Sequence, residues 1–131
     1  MTIPIHTLTK ILLFISTAFI LNSCDQTPAL SQEAMPNFEK LANAIYKAEG
    51  GANTRHPYGI LAKYKHTTPR QACINTVKNQ WKRHLVHDCG KDYMTCLRDR
   101  YAPIGAGNDP MGLNRNWLKN VTHFYHDALT N

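Results

Sequence analysis

Acidic residues are scarce in this chain: 9 Asp and Glu stand against 15 Lys and Arg, a formal net charge of +6 at pH 7. None of the acidic residues lies between Gly50 and His87. This balance excludes a predominantly acidic surface. It favours anionic partners, such as phospholipid, nucleic acid or the peptide carboxylates of a cell wall.

Long apolar runs are also lacking, because the most apolar stretch, from Ile11 to Leu21, has only eleven residues. A membrane-spanning helix needs about 20. A basic residue precedes this stretch and Ser23-Cys24 follows shortly after it, which is the shape of an export signal. We therefore predict a signal peptide at 1–23 and a tether at 24–36, with a retained membrane anchor as the alternative.

The segment Leu21-Asn22-Ser23-Cys24 resembles a bacterial lipoprotein signal. The resemblance implies that Cys24 becomes the lipid-modified first residue of an exported protein, on the periplasmic or cell-envelope side of a membrane. Since each buried CH₂ contributes about 0.8 kcal/mol, two or more acyl chains would anchor the chain stably. Asn22 departs from the usual small or aliphatic residue, so ordinary cleavage nearby is the alternative. Export makes nucleic acid the least expected anionic partner.

A convincing alternating strand pattern is absent, and so are internal repeats. The apolar spacing predicts a mainly α fold in a single small domain, with one helix ending near Glu49 and a second beginning at Thr68-Pro69. A short helix from about Asp92 to Arg100 and a last helix from about Asn116 follow. The predicted buried residues of the last three helices are Ile74, Val77, Trp81, Leu85, Tyr93, Met94, Leu97, Trp117, Val121, Phe124, Tyr125 and Ala128.

Glu49 is an acid on the apolar side of the first helix, four residues after Ile45. Gly50 and Gly51 end the helix, because glycine adopts the left-handed cap conformation without a Cβ penalty. The carboxyl group is thus expected at the negative end of the helix dipole and beside apolar side chains. Both effects disfavour its charged form, so we expect a raised pKa. A surface ion pair with Arg55 is the alternative.

Cysteine is scarce: if Cys24 is lipidated, only Cys73, Cys89 and Cys96 are left. One bridge and one free thiol is the simplest outcome in an oxidising compartment. The sequence does not choose between a bridge from Cys89 to Cys96 and a bridge from Cys73 to either of them.

Metal-ligating side chains are present, but no fourth ligand stands at a recognised zinc spacing. We therefore predict neither a metal site nor a cofactor. The residues considered are His84, His87 and Cys89, and the pair His123 and His126.

Two groups of segments resemble the lysozyme-like superfamily, most closely its small soluble-lytic-transglycosylase-type proteins. Ala44-Ile45-Tyr46-Lys47-Ala48-Glu49-Gly50-Gly51 followed by Pro57-Tyr58-Gly59-Ile60 resembles the catalytic helix and the loop after it. Arg100-Tyr101-Ala102-Pro103, Asn108-Asp109-Pro110 and Trp117-Leu118-Lys119-Asn120-Val121 resemble the C-terminal part of such wall hydrolases. The resemblance spans about 38–125 and implies a lysozyme-like helical domain at 37–131.

The resemblance also implies a function, which is cleavage of the β-1,4 bond between N-acetylmuramic acid and N-acetylglucosamine in bacterial peptidoglycan. It makes Glu49 the catalytic acid and places Tyr58, Gly59 and Ile60 at the border of the glycan groove. The Ala-Tyr-Asn-Ala-Gly motif of many lytic transglycosylases is missing, and Tyr101 is the candidate for the role of its tyrosine.

The scarcity of acids bears on the mechanism. A retaining glycosidase needs a second carboxylate about 5 Å away as nucleophile, and an inverting one needs a base roughly 6.5–9.5 Å away. A lytic transglycosylase needs only one acid, because the muramic acid 6-hydroxyl attacks C1 and forms a 1,6-anhydro ring. Since no acidic residue soon follows Glu49, the single-acid route is the simpler interpretation.

Asp109 lies in a loop rich in Gly and Asn, and it is the best candidate for a second carboxylate or a substrate contact. A turn-forming Asp before Pro110 is its alternative. We therefore predict a peptidoglycan lytic transglycosylase, with a hydrolytic muramidase next. The alternative from another class is a catalytically inactive peptidoglycan-binding protein that serves in cell-envelope assembly.

Overall fold

The computed structural model describes residues 33–87 and 89–131, and four α-helices account for most of this part of the chain. They are α1 (Phe38–Ala48), α2 (Pro69–Val86), α3 (Tyr93–Tyr101) and α4 (Trp117–Thr130), with short 3₁₀ turns at Gly51–Asn53 and Leu113–Asn116. The described residues contain no strand, which confirms the mainly α prediction. The signal peptide, Cys24 and the tether up to residue 32 lie outside them.

Helix α1 begins and ends at the residues that its sequence indicates. The side chain of Asn37 accepts a hydrogen bond from the Lys40 backbone N–H, which satisfies one of the free donors of the first turn. Gly50 follows the helix in the left-handed conformation, with φ of 89°. Glu49 is therefore the cap residue between the last helical turn and this glycine.

The core is formed by α1 packing against both α2 and α4, while α3 contacts the same two helices. The packing of α1 on α4 is antiparallel, because the N–H of Asn37 donates to the Tyr125 hydroxyl while Glu49 meets Trp117. The end of α1 therefore lies beside the beginning of α4. The largest fully buried side chains are Leu41, Ile45, Ile74, Leu97, Val77, Val121 and Cys73.

Helix α2 has the predicted cap, since the Thr68 hydroxyl accepts from the Gln71 N–H at 3.1 Å. The prediction that Leu85 is buried is wrong, because its side chain is 65% exposed. The core residues of α2 end at Trp81, so the last turn of this long helix extends past the core. The other predicted core positions are buried or partly buried.

The structure shows one of the disulfide pairings that the sequence left open. Cys89 and Cys96 form a disulfide that ties the segment after α2 to α3. Cys73 is free and buried, and burial raises the pKa of its thiol to about 11. Within 33–87 and 89–131, no helix is both long enough and apolar enough to cross a membrane.

Candidate active site

The carboxyl group of Glu49 lies half-buried where α1 ends and α4 begins. Its Oε1 accepts a hydrogen bond from the indole N–H of Trp117, the first residue of α4, at 2.8 Å. This bond joins residues 68 positions apart and fixes the direction of the carboxyl group. The second oxygen makes no hydrogen bond within the described part of the chain and is free to meet a ligand.

Gly59 packs directly against this carboxyl group. Its N–H donates to the His56 carbonyl at 2.8 Å, which closes a tight turn, and its φ of +66° is one that L side chains rarely adopt. A Cβ built on Gly59 would lie 2.8 Å from both Cδ and Oε1 of Glu49. Glycine is therefore required here both by the backbone and by the approach of the carboxyl group.

Burial controls the electrostatics of Glu49. Loss of solvent raises the pKa of the Glu49 carboxyl, and the hydrogen bond from Trp117 partly opposes this by stabilising the charged form. No Lys or Arg among the described residues forms an ion pair with Glu49, so the alternative partner Arg55 does not neutralise it. The site holds a carboxyl group with a raised pKa, as the sequence predicts.

Tyr101 supports this arrangement from the end of α3. Its ring stacks on Trp117, with centroids 5.3 Å apart and planes at 28°. Its hydroxyl donates to the carbonyl oxygen of Tyr58, next to Gly59, and burial raises its pKa so that it stays a neutral donor. Tyr101 thus connects Trp117 to the turn that covers Glu49, and its hydroxyl points to the turn, not to the carboxyl group.

Glu49 opens into a cleft of about 310 Å³. A second cavity of about 470 Å³ adjoins it, because Arg55, His56 and Leu61 line both. Tyr58 and Ile60 line the second cavity, while Gly59 and Tyr101 line the first. Four of the predicted groove residues therefore line these two neighbouring cavities beside Glu49, which together are called the groove below. Its other lining residues are Thr54, Pro57, Ala62, Lys63, Tyr64, Thr67, Pro69, Ala102, Pro103, Asn108 and Asn114.

Asp109 lies in the loop before α4 but does not line either cavity. Its Oδ1 accepts the N–H of Leu113 at 2.7 Å, and its Oδ2 accepts the N–H of Asn114 at 2.9 Å. Both oxygens are thus engaged in holding the 3₁₀ turn. This arrangement favours the turn-forming interpretation of Asp109 over a catalytic one.

Trp117 is the residue of the candidate site that the sequence did not indicate. Its spacing on α4 predicts a core residue, and its side chain is indeed only 6% exposed. The sequence carries no signal that its indole N–H reaches Glu49, because this contact depends on how α1 and α4 pack.

A group of potential metal ligands lies on another part of the domain. Ligand atoms of His84, Cys89 and Cys96 come within 4.8 Å of one another. The two sulfurs are joined as a disulfide, whereas a metal needs thiolates. In this redox state, the group offers only the imidazole as a strong ligand, and a metal would require reduction of the bridge.

Comparison with known proteins gives no family assignment: no protein-family model, no curated protein and no solved structure matches the chain.

Proposed function

We propose that this protein cleaves the glycan strands of bacterial peptidoglycan as a lytic transglycosylase, with Glu49 as its single catalytic acid. The observation that carries the proposal is a half-buried carboxyl group with a raised pKa at the wall of an open groove. A general acid needs this combination, because it must hold a proton near neutral pH and present it to the substrate.

In the proposed reaction, Glu49 donates its proton to the oxygen of the bond between N-acetylmuramic acid and N-acetylglucosamine, and the C1–O bond breaks. The 6-hydroxyl of the same muramic acid attacks C1 and closes the 1,6-anhydro ring. The Glu49 carboxylate then takes the proton of that hydroxyl, which restores the acid. The Trp117 N–H stabilises the carboxylate between the two proton transfers.

The lining of the groove supports the single-acid route over hydrolysis. Glu49 is the only Asp or Glu among the described residues that line the two cavities. A hydrolase would need a second carboxylate at its own characteristic distance, and the best candidate, Asp109, is engaged with backbone N–H groups. Hydrolysis by a muramidase is the second candidate function. It would require a base from outside the groove lining to activate water.

The proposal includes the setting in which this activity works. The helical domain would be a member of the lysozyme-like superfamily, exported by the signal at 1–23 and anchored to a membrane through a lipid on Cys24. Its partners would be peptidoglycan and the membrane, in the periplasm or cell envelope. The resemblances in the sequence and the basic balance of the chain support this part of the proposal.

The decisive experiment is product analysis by mass spectrometry after purified peptidoglycan is incubated with the protein or with its Glu49→Gln variant. We expect 1,6-anhydro products from the wild type and a loss of rate of about 10²–10⁴-fold in the variant, the usual contribution of a general acid. The variant keeps the acceptor oxygen for Trp117, so its fold can be verified by circular dichroism.

Products with a reducing end would instead indicate hydrolysis, which requires a second carboxylate as nucleophile or base. If wall material is bound but never cut under conditions in which a control enzyme digests it, the protein is a binding or scaffold protein and the proposal is wrong.

A further inference from the structure

The second cavity of the groove is distinguished by its charge. It is walled by the aromatic side chains of Tyr58 and Tyr64, and Arg55 and Lys63 bring two cations to it. Among the residues that the structure describes, no acidic side chain lines it. Neither Arg55 nor Lys63 forms an ion pair or hydrogen bond within the described part of the chain. Both charges are therefore available to an incoming anion.

The other basic residues near this cavity are Arg70, in the first turn of α2, and Lys65, in the loop before it. Arg70 is paired with Glu39 at 2.6 Å, and neither Arg70 nor Lys65 lines either cavity. Lys65 also forms no ion pair within the described part of the chain, so what distinguishes Arg55 and Lys63 is that they line the cavity. Arg55 also lines the cleft of Glu49, so the anion would sit beside the proposed cleavage site.

We propose that Arg55 and Lys63 bind the carboxylates of a peptidoglycan stem peptide, so that the protein acts on peptide-bearing glycan in preference to bare glycan. The inference rests on the proposed function. Stem peptides are attached to N-acetylmuramic acid, the sugar that the proposed reaction cleaves at C1, and they carry several free carboxylates. If the C1 of a muramic acid lies at Glu49, its anionic stem peptide would extend along the groove. Arg is suited to bind it, because its guanidinium makes paired hydrogen bonds with carboxylates.

The test uses two substrates, intact peptidoglycan and the same material stripped of stem peptides by an amidase. Stripping uncovers one lactyl carboxylate on each muramic acid, so the substrates differ in where their negative charges lie. The proteins compared are the wild type, the double variant Arg55→Gln/Lys63→Gln and the control Lys82→Gln/Lys119→Gln. The control removes the same charge from exposed residues that line neither cavity.

We expect wild type and control to cleave intact material about tenfold faster than stripped material, since a tenfold ratio is about 1.4 kcal/mol and within reach of two exposed ion pairs. The double variant should cleave both substrates at the rate that wild type shows on stripped material. Equal wild-type rates on the two substrates would overturn the proposal. So would an equal loss on both in the double variant, which would assign the cations to the lactyl carboxylate.

A binding measurement separates this inference from the proposed function. Glu49→Gln, with and without the Arg55→Gln/Lys63→Gln change, is sedimented with intact and with stripped material. Preferential binding to intact material that depends on the two cations supports the inference even if the wild type never cuts. Equal binding to both materials contradicts it even if the wild type proves to be a transglycosylase.

Discussion

At the scale of single residues, the site consists of one carboxyl group, and two features of its surroundings have opposite effects on its pKa. Burial favours the protonated form of Glu49, while the Trp117 N–H favours the charged form, and burial is the larger effect. In the proposed reaction the carboxyl group gives a proton and then retakes it, and it would benefit from both effects, because neither state is stabilised without limit.

Glu49 should make the stability of the domain depend on pH. Because its pKa is raised above the ordinary value of 4.5, the native state retains a proton that the unfolded chain has released. Stability therefore falls as pH rises from about 4.5 through the native pKa. We expect Glu49→Gln, which cannot titrate, to be more stable than wild type above this window and equally stable below about pH 4. Urea unfolding at several pH values measures the difference.

Two outcomes would contradict this prediction. If the stability difference between wild type and Glu49→Gln is the same at all pH values, the pKa of Glu49 is not shifted by folding. If the variant loses its advantage as pH rises, the shift has the opposite sign.

Gly59 should be required for activity more than for folding. A methyl group there meets the Glu49 carboxyl, so Gly59→Ala should displace it and lower activity by about 10²-fold, the loss that a misplacement of about 1 Å can produce. The matched control is Gly105→Ala, which has a similar φ of +78° but no atom within 4 Å of the added Cβ. Both variants should lose about 1–2 kcal/mol of stability from the positive φ.

Activity and unfolding measured on both variants separate the effects. A similar loss of activity in Gly105→Ala would mean that backbone strain, and not contact with Glu49, explains the result.

At the scale of elements, the first residue of α4 completes a site that begins at Glu49, the cap residue that follows α1. Trp117 packs in the core, stacks on Tyr101 of α3 and donates to Glu49. The three helices therefore position the carboxyl group together, although it belongs to the cap residue of α1.

Trp117→Phe should shift the pH profile of activity. It removes the donor to Glu49 but keeps an aromatic ring, so the pKa of Glu49 should rise further and the loss of activity at high pH should begin at higher pH. Trp81→Phe is the control, because Trp81 is also 6% exposed but packs edge-on to Tyr93, away from the groove lining. Each variant should cost about 0.5–3 kcal/mol of stability.

The measurement is kcat/KM across the pH range for both variants, beside their free energies of unfolding. A shift of the profile in both variants would indicate a general effect of core loosening, and an unshifted profile in Trp117→Phe would remove Trp117 from the site.

At the scale of the whole molecule, the site depends on α1 being held between α2 and α4. Ile45, one turn before Glu49, is fully buried in the shared core. The same packing that stabilises the domain thus sets the position of the end of α1 that is followed by Glu49.

Ile45→Ala should lower the free energy of unfolding by about 2–5 kcal/mol, because it leaves a cavity in the core. Thr122→Ala should change the free energy of unfolding by less than about 0.5 kcal/mol. Thr122 lies at an exposed position of α4, and its side chain has no partner in the described part of the chain. Urea unfolding measures both. Equal effects of the two substitutions would mean that α1 is not held by this core.

The sequence alone determined the features that depend on neighbours along the chain. The apolar spacing of α1, the glycines after Glu49 and the Thr68 cap set where helices begin and end and which face carries the acid. These features were predictable because a helix repeats every 3.6 residues and its ends need local partners. The signal peptide and Cys24 remain predictions.

Only the tertiary structure decided which residues of different helices and loops meet. The Trp117 donor, the approach of Gly59 to the carboxyl group and the Cys89–Cys96 bridge follow from how the helices and loops pack. The exposure of Leu85 follows from where the core ends. The spacing of residues along one helix determines the direction of a side chain. The residue that this side chain meets depends on where a second element packs, and the spacing does not determine that.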